Sequence, residues 1–425
     1  EELKEKVRGF VEGLRGEKGE WLNRRIVESC ESRELRRKSM KNSKKRILSF
    51  LLAIVCLFSL FPVGAFLHKP TAMFLCLNLK SARHKIKNHF NLILRGYHKY
   101  YCNRGVKNPF FSISIPAYKS SFLKDAIQSC FDQVYEDFEI VIVNDASPED
   151  IDSIIDSFGD NRIKYYKNQT NNGALNVVDT WNQCLNYASG RYLICMGDDD
   201  KLLSNCLQIY YDLINRYPSL DVYHTRTMLI DERGDVVEYQ EERPEWESTD
   251  SFLFQRWTNR WRQFIGDFCF RLDALKEQGG FYKLPLAWGS DDISAFRAAG
   301  EKGIANTQDF GFQYRVNSST ISNSGLYREK AQADILSKRW YETYINDSLV
   351  HKELHKNKCW EQLSQMVGPY HQAKVRLMIH YDLCAALTNI PYWIFNRRIY
   401  DISSHELFLI VKGVIKQKLE RHAKR

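Results

Sequence analysis

At 425 residues, 44% of them hydrophobic, the chain is long enough to bury a full catalytic domain and still carry flanking segments. Its net charge of +9 is uneven. Arg36, Arg37, Lys38, Lys41, Lys44, Lys45 and Arg46 form one basic block and "KGVIKQKLERHAKR" another; such blocks suit an anionic membrane surface, nucleic acid or simply a solvated tail, and no nucleic-acid recognition motif accompanies them. The 11 cysteines include no Cys-x-x-Cys pair and no Cys/His spacing of a zinc site, which points to a reduced, cytosol-facing compartment, with Cys130, Cys184 and Cys195 as buried residues.

Residues 1–46 are charged and helix-prone, and Met40 offers a plausible start that would leave residues 1–39 extraneous. Residues 47–79 are apolar. Within them "ILSFLLAIVCLFSLFPVGAF" (47–66) is uncharged, has the length of a bilayer span and follows basic residues. Residues 80–108 form a basic, aromatic linker. From Pro109 the pattern changes. "FFSISI" reads as a buried strand ended by Pro116, and Leu123, Ala126, Ile127, Cys130 and Phe131 recur at helical spacing. "FEIVIV" is a second buried strand. "PEDIDSIIDSF" is helical with Pro148 in its first turn, and "RIKYYK" is a short strand. After the "NNG" break, "ALNVVDTWNQCLNYA" is helical and "RYLICM" is a strand. Leu203, Leu207, Tyr210 and Ile214 stripe the helix that follows. "DVYHTRTMLID", "ERGD" and "VVEYQ" suggest an antiparallel hairpin, "ALKEQGGF" a helix with a glycine stop, and the chain from 326 onward is helical, basic and aromatic.

Alternating strands and helices predict an α/β domain with a mostly parallel sheet covered on both faces, and ligands of such sheets bind outside the carboxyl ends of the strands. Those ends are polar here: Pro116-Ala117-Tyr118, Asn144-Asp145, and Asp198-Asp199-Asp200 after Gly197. Three adjacent carboxylates at the end of a buried strand repel one another unless a cation neutralises them, and Mg²⁺ or Mn²⁺ bridging carboxylates to a diphosphate would do so. The alternative is a helix cap with acidic residues in the first turn, a role open to Asp200 in particular. Asp145 either caps the next helix or accepts a hydrogen bond from a ligand. Asn172-Gly173 reads as a turn or a ligand contact. Asp291 and Asp292 supply carboxylates for proton abstraction, or a helix start capped by Ser290.

Residues 109 to about 322 resemble the inverting family 2 glycosyltransferases, which have a GT-A type nucleotide-sugar-binding fold. The resemblance rests on "SISIPAY", "DAIQSCFDQVYEDFEIVIVNDAS", "NNG", "ASGRYLICMGDDD", "EQGGF", "SDDISAFRAAGEKG" and "YRVNSSTIS", in that order. It implies a GT-A domain over 109–325 with a helical extension over 326–425. Pro116, Ala117 and Tyr118 would line the base and ribose of the donor, Asp145 would bind the base, typically uracil, and Asn172 and Gly173 would lie near the nucleotide sugar. The family's Asp-x-Asp-Asp pattern falls on Gly197, Asp198, Asp199 and Asp200, so its first acid is glycine here. Asp199 would hold Mn²⁺ or Mg²⁺, Asp198 would share the metal or reach the ribose, and Asp200 would serve the metal or the helix. Asp291 would be the base, with Arg297 and Gly303 at the family's distances, and Asp292 is the alternative. Asn317 stands where the family commonly has His. The segments of processive synthases are missing from the sequence, so a single transfer to a glycan or lipid-linked acceptor in cell-surface glycan synthesis is expected.

A catalytically inactive nucleotide-sugar-binding or scaffold protein at a membrane is the competing reading. Trp246, Trp257, Trp261 and Trp288 are candidates for shaping the acceptor or sugar pocket. A single span with a cytoplasmic basic flank would put residues 109–425 outside, away from bacterial sugar nucleotides. The expectation is therefore a cytoplasmic catalytic domain on a bacterial inner membrane, with the 47–66 run re-entrant and "PYWIFNRRIY" and the C-terminal tail touching lipid.

Overall fold

The alternation along "RYLICM" shows why the strand from Tyr192 is apolar throughout. In the computed structural model, Tyr192, Ile194 and Met196 enter one buried cluster with Ile113, Ile115, Ile140 and Ile142, while Leu193 and Cys195 enter a second with Val141, Phe268 and Phe270. A strand whose two faces are both covered has no use for polar alternation. The structure describes residues 108–317, 320, 323–346 and 358–423; the expectations for residues 1–107, the 47–66 run included, lie outside them.

In chain order the elements are β1 (Phe111–Ala117), α1 (Leu123–Phe131), β2 (Phe138–Asn144), α2 (Ile151–Asp156), β3 (Ile163–Lys167), α3 (Val177–Tyr187), β4 (Tyr192–Cys195), β5 (Lys201–Leu202) and α4 (Cys206–Arg216). They continue with β6 (Val222–Ile230), β7 (Val236–Tyr239), β8 (Trp246–Glu247), α5 (Thr249–Trp257), β9 (Phe268–Arg271), α6 (Leu272–Glu277), α7 (Ser290–Ala299) and β10 (Ile304–Arg315). The helices α8 (Tyr327–Asn346), α9 (Lys358–Ala385), α10 (Ile390–Asn396) and α11 (Ser404–Ala423) follow. One ten-stranded sheet runs β3-β2-β1-β4-β9-β6-β10-β5, with β7 on β6 and β8 on β10. The ladders β3-β2-β1-β4 and β6-β10 are parallel, and β9 is antiparallel to both β4 and β6. The β6–β7 pair is the expected hairpin, and Gly279 and Gly280 stop α6 with φ of 91° and 88°.

Several boundaries differ from the sequence reading. Pro116 does not end β1: that strand pairs with β2 through Ala117. Its pairing with β4 stops at Ser114, where the Met196 N–H meets the Ser114 carbonyl; the N–H that proline lacks is the next donor on that side. Pro148 precedes α2, whose cap is Asp150, accepting from the Ser153 N–H at 3.1 Å. Leu203 precedes α4, which starts at Cys206 after Asn205, so Asp200 is not its cap.

A buried carboxylate ties the first strands together. Glu139 on β2 accepts from Ser112 Oγ (2.6 Å), the Ser189 N–H (2.6 Å) and Ser189 Oγ (2.8 Å), and it pairs with Lys164 on β3. Ser112 Oγ in turn accepts from the Gly190 N–H at 2.8 Å. A Cβ on Gly190 would lie 2.7 Å from the Ser112 backbone N. Gly190→Ala should therefore cost about 1–3 kcal/mol through overpacking, measured as a lower urea midpoint; an unchanged midpoint would mean that β1 and β4 can separate there freely.

The helical extension is not an appendage. Tyr341, Ile345, Trp360, Leu363 and Val367 from α8 and α9 share one core with Phe252, Trp257 and Phe296 of α5 and α7, and a further cluster joins α8 and α9 to α10 and α11 through Ile335, Val375, Ile379, Trp393, Leu407 and Val414.

Candidate functional site

A cleft of about 1050 Å³ opens at the carboxyl ends of β1, β2 and β4. Pro116, Ala117 and Tyr118 line it from the end of β1 and Asp145 from the end of β2. Gly173 enters from the loop after β3, Asp198–Asp200 from the end of β4, and Asp291 and Asp292 from the start of α7. Of the residues expected to serve the nucleotide, the metal or the base role, Asn172 alone does not line the cleft. It stands behind Asp145, donating to it from its backbone N–H (3.1 Å) and from Nδ2 (3.0 Å), and Asn168 Nδ2 adds a third bond at 2.8 Å. Asp145 is thus held by the "NNG" loop rather than capping α2. Four lone-pair positions on a carboxylate leave room for a further donor.

The three adjacent acids turn to three different partners. Asp198 Oδ2 accepts from the Tyr118 and Lys119 N–H groups, both at 2.7 Å, which locks the end of β1 to the end of β4. Asp199 Oδ2 accepts from Asn317 Nδ2 at 2.7 Å. Asp200 is buried and accepts from the Arg315 N–H (3.0 Å) and the Gly197 N–H (3.3 Å). The Arg315 guanidinium donates to main-chain carbonyls of Asp199 and Asp231, not to these carboxylates. Burial, then the charge of Asp199, pushes Asp198 up to about 6, with the two N–H donors and Lys119 opposing. Burial and Asp199 also raise Asp200 well above the usual carboxylate range.

Gly197, at the position of the missing first acid, is crowded by the carboxylates that follow it. A Cβ there would sit 2.9 Å from both Asp199 Oδ1 and Asp200 Oδ2. The space is taken by the following carboxylates.

Among the described residues no three Asp, Glu, His or Cys side chains converge as a ready cage for a metal, and no lysine or arginine closes an ion pair on Asp198, Asp199 or Asp200. Mutually repelling carboxylates, two of them half-buried at the cleft, fit an open Mg²⁺ or Mn²⁺ site, in which one or two carboxylates hold the ion and phosphate oxygens complete it. Asp199 and Asp198 suit that role, whereas Asp200 serves the β4 and β10 backbones.

Across the cleft, α7 begins without the Ser290 cap that is one of the two readings of this acidic pair. Gly289, at φ 84°, is the residue before it. Ser290 is already helical, and its Oγ accepts from the Leu284 N–H at 3.1 Å. The geometry separates the acidic pair. Asp292 is bound by Arg256 Nε at 3.0 Å and by Gln263 Nε2. Asp291 is pushed up to about 7 by burial and by Asp292, with Arg256 opposing. One carboxylate is neutralised in place and its neighbour is poised near neutral pH.

Sequence reasoning missed much of this wall. Trp181 on α3 and Tyr370, Lys374 and Leu377 on α9 line the cleft. Lys374 pairs with Asp334 at 2.7 Å, and the Lys374 and Lys330 ammonium groups lie 5.8 and 5.0 Å from the Trp288 ring centroid. Of the four candidate tryptophans only Trp288 lines the cleft. Trp257 is in the core, Trp246 donates to the Lys302 carbonyl and Trp261 to Glu247. Trp181 lay hidden in a helical apolar stripe, and no local pattern ties α9 to a site that precedes it in the chain by so much.

Residues 112–277 match the model of "Glycosyl transferase family 2". The chain is 34% identical over 102 residues to a GalNAc(5)-diNAcBac-PP-undecaprenol beta-1,3-glucosyltransferase of Campylobacter jejuni, covering 23% of this chain and 32% of that one. It is 30% identical over 135 residues to an uncharacterized glycosyltransferase of Rickettsia felis, covering 31% and 22%. The chain therefore spans about a fifth to a third of the length of these curated relatives. A solved structure of S. aureus TarS 1–349 in complex with UDP-GlcNAc aligns at a TM-score of 0.46 and 16% identity, over 72% of this chain and 92% of that one. The sheet order described above and the family match over residues 112–277 are those of the expected GT-A type fold.

Proposed function

We propose, for a chain whose residues 112–277 belong to glycosyl transferase family 2, that the cleft transfers a sugar with inversion from a nucleoside diphosphate sugar, UDP-linked, to the hydroxyl of a glycan or lipid-linked acceptor in cell-surface glycan synthesis. The carrying observation is the division of labour at α7. Arg256 and Gln263 hold Asp292, and Asp291 is left in the cleft with a proton affinity suited to general base work.

Pro116, Ala117 and Tyr118 would line the base and ribose, and Asp145, fixed by Asn168 and Asn172, would accept from the base. An ion held by Asp199 and Asp198 would supply compensation for charge developing on the diphosphate. The acceptor oxygen attacks the anomeric carbon as the bond to the diphosphate breaks. Asp291 takes the acceptor's proton and the diphosphate leaves with the electron pair. Trp288 and the α9 wall would orient the acceptor so that this displacement is in line.

The test is release of nucleoside diphosphate by the purified protein from a panel of nucleotide sugars with Mn²⁺. UDP release from at least one UDP-sugar is expected, and release from none of the panel counts against the reading. Asp291 must be deprotonated to act, so kcat/KM should rise with pH and level off above about 7. A profile that is flat from pH 5 to pH 8 would mean that Asp291 is not the base.

A further inference from the structure

We infer that α10 and α11 form a docking face for an anionic phospholipid bilayer. Both helices pack inward on α9 through Trp393, Leu407 and Val414, and both leave large apolar side chains in solvent on the other side. On α10 and just after it, Ile394, Phe395 and Ile399 are exposed, Phe395 at 83%. On α11, Phe408, Ile415 and Leu419 recur at helical spacing and are 61%, 40% and 64% exposed. Soluble surfaces rarely gather such side chains without an occupant.

Charge selects the occupant. Between residues 390 and 421, Arg397, Arg398, Lys412, Lys416, Lys418 and Arg421 stand against three carboxylates. Two of those carboxylates are held from within: Asp401 by Lys338 on α8 and Glu406 by Arg376 on α9. The apolar stripe is thus interleaved with cations, Lys412 lying between Phe408 and Ile415. Helices that rest in the headgroup region of an anionic bilayer have this composition. Among the described residues no helix is long and apolar enough to cross a membrane; the docking proposed is by surface contact.

α10 packs beside the part of α9 that leads away from the cleft. Leu377 lines the cleft and is 43% exposed, and Tyr381 lies one turn further along α9 and is equally exposed. The next residue, Asp382, accepts from Trp393 Nε1 of α10 at 2.7 Å. Docking would therefore bring the rim of the cleft to the headgroup plane, within reach of a lipid-linked acceptor. That corollary rests on the transfer reading; the docking itself does not.

Benzoylphenylalanine placed singly at 395, 408 or 419 of the full chain, and at exposed Val134 as a control, tests this. The protein is irradiated with vesicles of phosphatidylglycerol and phosphatidylethanolamine. Phospholipid adducts at 395, 408 and 419 should exceed those at 134 by at least about ten-fold, and high salt should reduce them. Adducts to protein instead of lipid, or lipid adducts no more frequent than at 134, would overturn the inference. Because no sugar donor is present, failure here leaves the transfer reading standing, and failure of UDP release leaves this result standing.

Discussion

Asp291→Asn should lower turnover by about 10²–10⁴-fold, the range for loss of a general base, while donor binding persists. The asparagine preserves shape and removes only the proton acceptor. A second readout separates catalysis from structure. The carboxyl has a folded pKa near 7 against an ordinary value of 3.8. The folded state therefore holds this proton more tightly than the unfolded chain, and stability is lost as pH rises from about 4 through about 7. Replacing the group with a neutral amide removes that loss, so the melting temperature of Asp291→Asn at pH 8 should not fall and should rise. Functional sites commonly carry such a cost. Asp292→Asn should behave in the opposite way. It leaves the Arg256 guanidinium short of its partner, at a cost of about 3 kcal/mol for a broken buried pair, so its melting temperature should drop. If Asp291→Asn turns over normally and Asp292→Asn is dead but stable, the two roles are exchanged.

Asp199→Asn should lower kcat/KM by about 10²–10³-fold, as removal of one electrostatic contact to a developing charge does, and should abolish the gain in donor affinity that Mn²⁺ provides. The amide can still meet Asn317 but no longer attracts the ion. Titration calorimetry of UDP with and without Mn²⁺ reads this directly. Equal enhancement in variant and parent would remove Asp199 from the site. Asp198 makes a less clean test, because its Oδ2 also fastens the Tyr118 and Lys119 N–H groups.

The parts of the fold legible in the sequence were those governed by local periodicity. β1, β2 and β4 are short, mostly apolar runs, and the stripes of α1, α3 and α4 recur at helical spacing. Helix starts were less legible: Gly289 rather than Ser290 precedes α7, Asp150 rather than Asp145 caps α2, and Pro148 lies ahead of α2 rather than in its first turn. Asp200 illustrates the deeper limit. Its partners, Gly197 and Arg315, come from adjacent and distant parts of the chain, and only pairing of β10 with β5 and β6 brings the latter near. The polar strand ends were legible as a site because a sheet of this kind gathers them at one edge. The contribution of α9 was not, because packing of Tyr341, Trp360 and Trp257 into a shared core is a tertiary fact. The different surroundings of Asp291 and Asp292 were likewise out of reach, because the Arg256 that holds Asp292 lies 35 residues before Asp291 in the chain.

The central claim is that a nucleoside diphosphate sugar undergoes a single displacement in this cleft. Proton NMR of donor hydrolysis by the wild-type protein, followed from the first turnovers before the free sugar equilibrates, tests it most directly. An α-linked UDP-sugar should release the β-anomer first, at a rate that falls with Asp291→Asn. First release of the α-anomer, or an equal rate in the variant, would contradict the account.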